Sequence, residues 1–166
     1  MDISTLIGVL IAVLVAGFAA WLFYLQRKAK ATEETKVEGS TAMQLQAYER
    51  LTLLVDRIAL PNLISRMNIP GLTARDMQLA LTQAIKEEYD YNITQQIYVS
   101  AEAWGAVKNL KEQNALVVNQ FANALPANAT GLDLNKLLLE YLMTDRKGSL
   151  HEIVSEILSF EAKKLL

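Results

Sequence analysis

Cysteine is absent from the chain, and histidine occurs once, as His151. Without cysteine there is no disulfide bond, no thiolate metal site, no cysteine nucleophile and no lipid attached to cysteine. One histidine cannot supply the ligands of a structural zinc ion. Carboxylates alone would suffice for Ca²⁺ or Mg²⁺, but no loop has the alternating Asp and Asn residues of such a site. We therefore expect no metal and no cofactor.

The chain also lacks an excess of positive charge. It has 16 basic and 18 acidic residues, a formal net charge of −2, whereas a domain that binds nucleic acid carries a basic face. Residues 94–100 are similar to part of a helix-turn-helix, but the segment is too short for two helices. In the would-be recognition helix only Lys108 and Lys111 could contact phosphates, and neighbouring glutamates oppose them. We expect no nucleic acid partner, and no glycine-rich nucleotide loop is present.

What the chain does contain is a long uncharged segment from Ile3 to Gln26. Its core, Leu6 to Leu25, has about the length that spans a hydrocarbon layer of roughly 30 Å as a helix. Trp21 lies near its C-terminal end, where aromatic rings favour the membrane boundary. Residues 3–26 are therefore predicted to form a transmembrane helix.

Basic residues at the end of this segment orient it. Arg27, Lys28 and Lys30 follow the apolar run, and the only charged side chain before it is that of Asp2. A cleaved signal peptide has the opposite arrangement, so we expect the helix to be retained. Because positive residues stay inside, the N-terminus is predicted outside and the C-terminal domain in the cytoplasm.

Small residues recur every four positions along one face of this helix, at Gly8, Ala12, Ala16 and Ala20. Such a face lets two helix backbones approach closely in lipid. The alternative is that Ala and Gly are simply common in membrane helices. We predict a transmembrane packing face that binds a membrane protein partner or a second copy of the chain.

The remaining sequence is divided into a polar juxtamembrane linker, residues 27–41, and a domain, residues 42–166. Apolar residues with helical spacing, separated by prolines, glycines and capping residues, predict an all-α fold: a compact helical bundle of about six helices. Pro61 either breaks the first helix or opens a short second one. Residues 92–99 are ambiguous between a strand and a helix, and we predict an irregular or helical segment.

Three side chains are predicted to begin helices. Thr73 with Asp76 resembles a capping box, Ser100 precedes the longest helix, and Ser149 with Glu152 forms a full capping box before the last helix.

An acidic and aromatic cluster lies at the predicted C-terminus of the third helix: Glu87, Glu88, Tyr89, Asp90 and Tyr91. Negative charge there opposes the helix dipole, and a cluster that breaks a local rule can mark a functional site. We predict an interaction surface. The alternatives are catalysis by paired carboxylates and an ordinary solvated face.

His151 is the residue to which a catalytic role is most easily attached. It lies near a helix N-terminus, where the dipole disfavours its protonated form, so it could act as a base. No serine-centred nucleophile motif accompanies it. We therefore expect an exposed residue in the first helical turn and no catalytic residue.

The segment Tyr91–Ser100 followed by Ala103-Trp104, together with the uncharged N-terminal anchor, resembles an uncharacterised family of small single-pass membrane proteins from Bacteroidota, a domain of unknown function. The resemblance covers most of the chain. It implies a location in the bacterial plasma (inner) membrane, and it carries no catalytic residues to transfer.

The expected function is that of a membrane-anchored, non-enzymatic subunit or adaptor that contacts lipid and binds a protein of a membrane complex. The alternative is an enzyme of unrecognised class that uses carboxylates and tyrosines in a pocket between helices. A deep polar pocket lined by Glu87, Glu88 or Asp90 would favour the enzyme, and a flat apolar patch would favour the adaptor.

Overall fold

The computed structural model describes residues 21–28, 40–144 and 150–166. The chain divides into two compact units, Met1–Ala42 and Met43–Leu166. In the first unit, residues 21–28 are helical and exposed. The guanidinium carbon of Arg27 lies 6.0 Å from the centre of the Phe23 ring.

The predicted membrane segment falls mostly outside the described residues. Residues 3–20 are among those not described, and with them the predicted packing face of Gly8, Ala12, Ala16 and Ala20. Within the described ranges, no helix is both long and apolar enough to cross a membrane.

Helices account for the second unit, and the first of them begins three residues before the unit boundary. They are α1 (residues 40–58), α2 (Leu60–Arg66), α3 (Ala74–Tyr91), a short 3₁₀ helix (Ile93–Ile97), α4 (Ala101–Ala124), α5 (Gly131–Thr144) and α6 (Leu150–Lys163). In the described part of this unit, the single β feature is an isolated antiparallel bridge between Thr73 and Thr130. The prediction of an all-helical domain is confirmed, and the ambiguous residues 92–99 contain the 3₁₀ helix.

Pro61 opens a new helix instead of only ending one. It stands at the first turn of α2, where its missing N–H has no helical partner to lose. The backbone bends at Ala59, whose ψ of 123° is not helical. The Asn62 amide donates to the Asp56 carboxylate at 2.8 Å, and this contact holds the two helices across the bend.

Side-chain oxygens cap the helices at the predicted places. The Thr73 hydroxyl accepts from the Asp76 N–H at 3.1 Å, and the Ser100 hydroxyl accepts from the Ala103 N–H at 3.1 Å. Both predictions are confirmed. Ser149 lies outside the described residues.

The N-termini of α3 and α5 are joined by backbone hydrogen bonds. The Ala74 N–H donates to the Ala129 carbonyl at 2.9 Å, and the Gly131 N–H donates to the Leu72 carbonyl at 2.8 Å. A side chain on Gly131 would begin 3.1 Å from the Met77 Cβ. The two helices therefore meet so closely that glycine is the residue that fits without displacing a neighbour.

All six α-helices of the second unit contribute to one core. α3 packs against α4 and α5, and α4 packs against α6 and α5. The largest fully buried side chains are Leu51, Leu54, Val55, Ile58, Leu63, Met77, Leu81, Ile85, Leu110, Leu134, Leu138 and Leu158. Each such side chain stabilises the fold by about 1.5–3 kcal/mol relative to an exposed one.

Candidate functional site

The predicted interaction surface lies where α3 ends. α3 has no basic residue in its last turn to balance the acidic side chains there. Asn92 follows the helix, and its side-chain amide donates to the Glu88 carbonyl at 2.9 Å, which satisfies one of the carbonyls left open at a helix end. The chain then enters the 3₁₀ helix Ile93–Ile97.

The five predicted surface residues are divided by the structure. Glu87, Asp90 and Tyr91 are exposed, and Tyr91 is 74% exposed. Glu88 is half-buried and Tyr89 is buried. Only Glu87, Asp90 and Tyr91 therefore present exposed side chains to a partner.

Glu88 holds α3 to the helices before it. Its Oε1 atom accepts from the Arg57 Nε at 2.6 Å and lies 3.9 Å from Nη1 of Arg66. Arg66 also donates to the Arg57 carbonyl at 2.7 Å. A partly exposed ion pair is worth about 0–1 kcal/mol, so its main effect is to fix the position of the end of α3.

Tyr89 anchors the same end from inside. Its ring centre lies 5.1 Å from that of Trp104, and the Lys111 Nζ lies 5.0 Å from the Tyr89 ring centre. Burial raises the pKa of Tyr89, and the carboxylates of Glu112 and Asp90 raise it further. The phenol is therefore held neutral, and its ring is a packing contact between α3 and α4.

Apolar side chains extend the exposed surface beyond the predicted cluster. Ile97 is 72% exposed, and Ile93 and Tyr98 are each more than one-third exposed. We call the exposed set the corner patch: Glu87, Asp90, Tyr91, Ile93, Ile97 and Tyr98. Exposed apolar groups with a polar rim are typical of protein-interaction surfaces, and tyrosine is enriched in such surfaces. The sequence does not predict the exposure of the two isoleucines, because their spacing is also compatible with a buried strand.

A shallow cleft of about 360 Å³ lies beside the corner patch and is lined by Arg57, Glu87, Glu88 and Tyr91. The carboxylates that line it already accept hydrogen bonds, Glu88 from Arg57 and Glu87 from the Gln83 amide at 2.8 Å. Both carboxylates are therefore held in place by hydrogen bonds from other side chains of the domain.

A larger cavity of about 500 Å³ lies between α2, α4, α5 and α6. The described residues that line it include five apolar side chains and five polar ones: Leu60, Val117, Leu142, Leu150 and Ile153, with Asn109, Gln113, Asn114, Tyr141 and His151. His151 is half-buried in its wall, which is less exposed than the sequence suggested.

Asn114 is the buried polar group of this cavity, with 8% of its surface exposed. Its amide nitrogen donates to the Ile58 carbonyl at the end of α1, at 2.7 Å. Elsewhere in the described ranges, no group of three His, Asp or Glu side chains is arranged to hold a metal ion.

Comparison with family models gives one match, a family of unknown function (DUF7935), over residues 1–165. No curated protein and no solved structure matches the chain. The expectation of an uncharacterised family is thereby confirmed.

Proposed function

The chain belongs to this family of unknown function, and we propose that it is a membrane-anchored, non-enzymatic interaction subunit whose corner patch binds a protein partner. The observation that carries the proposal is the exposure of Tyr91 and Ile97, at 74% and 72%. They lie in one short stretch of chain, with the acidic side chains of Glu87 and Asp90 beside them.

The corner patch is supported from beneath. Tyr89 stacks on Trp104, and Glu88 pairs with Arg57. A partner would therefore meet a surface that is already ordered, which reduces the entropy cost of binding. Tyrosine and isoleucine supply apolar area, and the carboxylates favour a partner with basic residues near its apolar contact.

The anchor belongs to the same proposal. Residues 3–26 are uncharged and are followed by Arg27 and Lys28. This pattern supports a single-pass helix in a plasma membrane, with the domain on the cytoplasmic side. The small residues of the anchor would contact a membrane helix of the partner or a second copy. A reporter fused after Leu166 should be active only in the cytoplasm, and activity on the outer side would overturn the orientation.

Purification of the full chain from mild detergent tests the function. Tyr91→Ser with Ile97→Ser should lower the yield of a stoichiometric partner tenfold or more, because central aromatic and apolar residues each contribute about 2 kcal/mol or more to such interfaces.

The matched control is Leu79→Ser with Leu116→Ser. These leucines are 53% and 48% exposed but lie outside the corner patch. Their replacement should leave the yield unchanged. Equal losses for both pairs would contradict the assignment of the patch.

A further inference from the structure

We propose that the cavity between α2, α4, α5 and α6 is a binding site for a small uncharged molecule that has an apolar body and a polar edge with at least one N–H or O–H donor. Its volume of about 500 Å³ falls in the range of ligand pockets in proteins. The site is separate from the corner patch and shares no residue with it.

Asn114 defines the chemistry at the floor of the cavity. The side chain is more than nine-tenths buried, and its amide nitrogen is committed to the Ile58 carbonyl at 2.7 Å. That contact fixes which end of the amide is the donor. The amide oxygen accepts no hydrogen bond from the described residues, so it remains as an acceptor for a donor in the cavity. A ligand N–H or O–H in the cavity would donate to this oxygen.

The neighbouring polar groups are uncharged. Asn109 and Gln113 lie one turn apart on α4, and each carries both a donor and an acceptor. His151 adds an imidazole from α6. Among the described residues that line the cavity there is no Asp, Glu, Lys or Arg. A charged ligand would lose its hydration without gaining an opposite charge from these side chains, so an uncharged polar edge fits the described lining best.

Apolar side chains determine the rest of the ligand. Val117, Leu142 and Leu150 are half-buried, line the cavity and pack on the core. An apolar ring or short chain would displace water from these side chains. The polar and apolar side chains of the described lining together favour an amphipathic, uncharged molecule over an ion or a fully polar one.

Three probes with the same ring system separate these features. 2-Naphthamide has an uncharged edge with donors and an acceptor, methyl 2-naphthoate is uncharged but has no donor, and 2-naphthoate is an anion with no donor. Each is titrated into the full chain in lipid nanodiscs. The readout is the methyl NMR signals of Val117, Leu142 and Leu150, with exposed Leu53 on α1 as the internal reference. Nanodiscs without protein give the background for partition into lipid.

2-Naphthamide should bind with a Kd of about 1 mM or lower, a value expected for a ligand of this size. The ester and the anion should bind at least about tenfold more weakly, because they leave the Asn114 oxygen without a donor. Equal shifts with all three probes, or no shift with 2-naphthamide at this concentration, would overturn the proposal.

Three variants test whether the molecule binds in the cavity. Asn114→Leu should abolish the preference for the amide over the ester. Because that change also removes the contact with Ile58, Val117→Phe is the second variant, which fills the cavity and leaves Asn114 in place. It should weaken 2-naphthamide tenfold or more. Gln120→Leu, on an exposed position of α4 outside the cavity, should have no effect, and a loss with Gln120→Leu equal to that with Val117→Phe would contradict the site.

Discussion

The two ends of α3 differ in how deeply the apolar side chains near them are buried. At the N-terminal end, Met77 is completely buried against Gly131, and backbone hydrogen bonds join α3 to α5. At the C-terminal end and in the 3₁₀ helix that follows it, Tyr91 and Ile97 lie largely in solvent. The first end is built for close packing within the domain. The second is fixed by Tyr89 and Glu88 but leaves its outer surface uncovered.

A side chain of this domain can therefore be held in place without being buried. The corner patch does not lack contacts beneath it, because Tyr89 packs on Trp104 and Glu88 pairs with Arg57. Its outer residues are exposed although they are held in place. Substitutions at the N-terminal end should therefore change stability, and substitutions in the corner patch should change binding.

The largest effect on stability is expected for Met77→Ala. Met77 is fully buried where α3 meets α5. Loss of its side chain should lower the free energy of unfolding by about 2–5 kcal/mol, because the cavity left behind is only partly refilled. Urea unfolding of the fragment of residues 43–166 measures the change. A loss below about 1 kcal/mol would show that this junction is not closely packed.

Substitutions of two glycines should have the next largest effects on stability. Gly131→Ala places a methyl group 3.1 Å from the Met77 Cβ and 3.3 Å from the Leu72 carbonyl, so it should destabilise the domain by about 1–3 kcal/mol. Gly105 lies on an exposed position of α4, and a methyl group there meets nothing within 4 Å. Gly105→Ala should stabilise the domain by up to about 1 kcal/mol. Thermal unfolding of both variants should give shifts of opposite sign; shifts of the same sign would be against this account.

The cap of α5 should give a smaller, pH-dependent effect. The Thr130 N–H and hydroxyl donate to the Asp133 carboxylate at 2.9 Å and 2.7 Å, and these hydrogen bonds lower the pKa of Asp133, with a further contribution from Lys136. A lowered pKa in the folded state stabilises the fold above the unfolded pKa of about 3.9, and this contribution is lost as the pH falls through the folded value.

Thr130→Ala should therefore cost about 1 kcal/mol at pH 7, the usual cost of losing a helix cap. The difference from the unaltered chain should shrink as the pH falls below about 4. Unfolding curves from pH 7 to pH 2 measure it, and Thr73→Ala on α3 is the comparison at the partner cap. A constant difference over this range would show that the Thr130 hydroxyl is not coupled to the ionised Asp133 carboxylate.

The smallest stability effect is expected in the corner patch. Tyr91→Ser and Ile97→Ser remove side chains that are mostly exposed, so each should change the free energy of unfolding by no more than about 0.5 kcal/mol. The same urea experiment measures it. A loss of 2 kcal/mol at either position would mean that the residue supports the fold, and the loss of partner in that variant would then have a structural cause.

Helical spacing was enough to predict most of the fold. Met77, Leu81, Ile85 and Tyr89 recur on one face of α3, and all four are buried. Tyr89 belongs to the predicted interaction surface, but it also continues this spacing, and in the structure its ring contacts Trp104. These features depend on the spacing of residues that are close in the sequence, so they can be predicted from a single sequence.

The start of α5 was not predicted, because its cause is tertiary. The proline and glycine at the ends of residues 126–131 predict a loop, yet Gly131 is the first residue of the helix, after a Thr130–Asp133 cap. A glycine normally disfavours a helix, and this one is explained by its approach to Met77 across the fold. Similarly, the exposure of Ile93 and Ile97 depends on what packs near the 3₁₀ helix, which spacing does not reveal.

The central claim is that the corner patch is the partner-binding surface, and site-specific photo-crosslinking in cells tests it most directly. A photoreactive residue replaces Tyr91 or Ile97 in the full chain, and, as controls, Leu79 or Leu132, which are about half exposed outside the patch. We predict one discrete adduct, with the same protein, from positions 91 and 97 and none from positions 79 and 132. Adducts of equal yield at all four positions, or none at positions 91 and 97, would contradict the account.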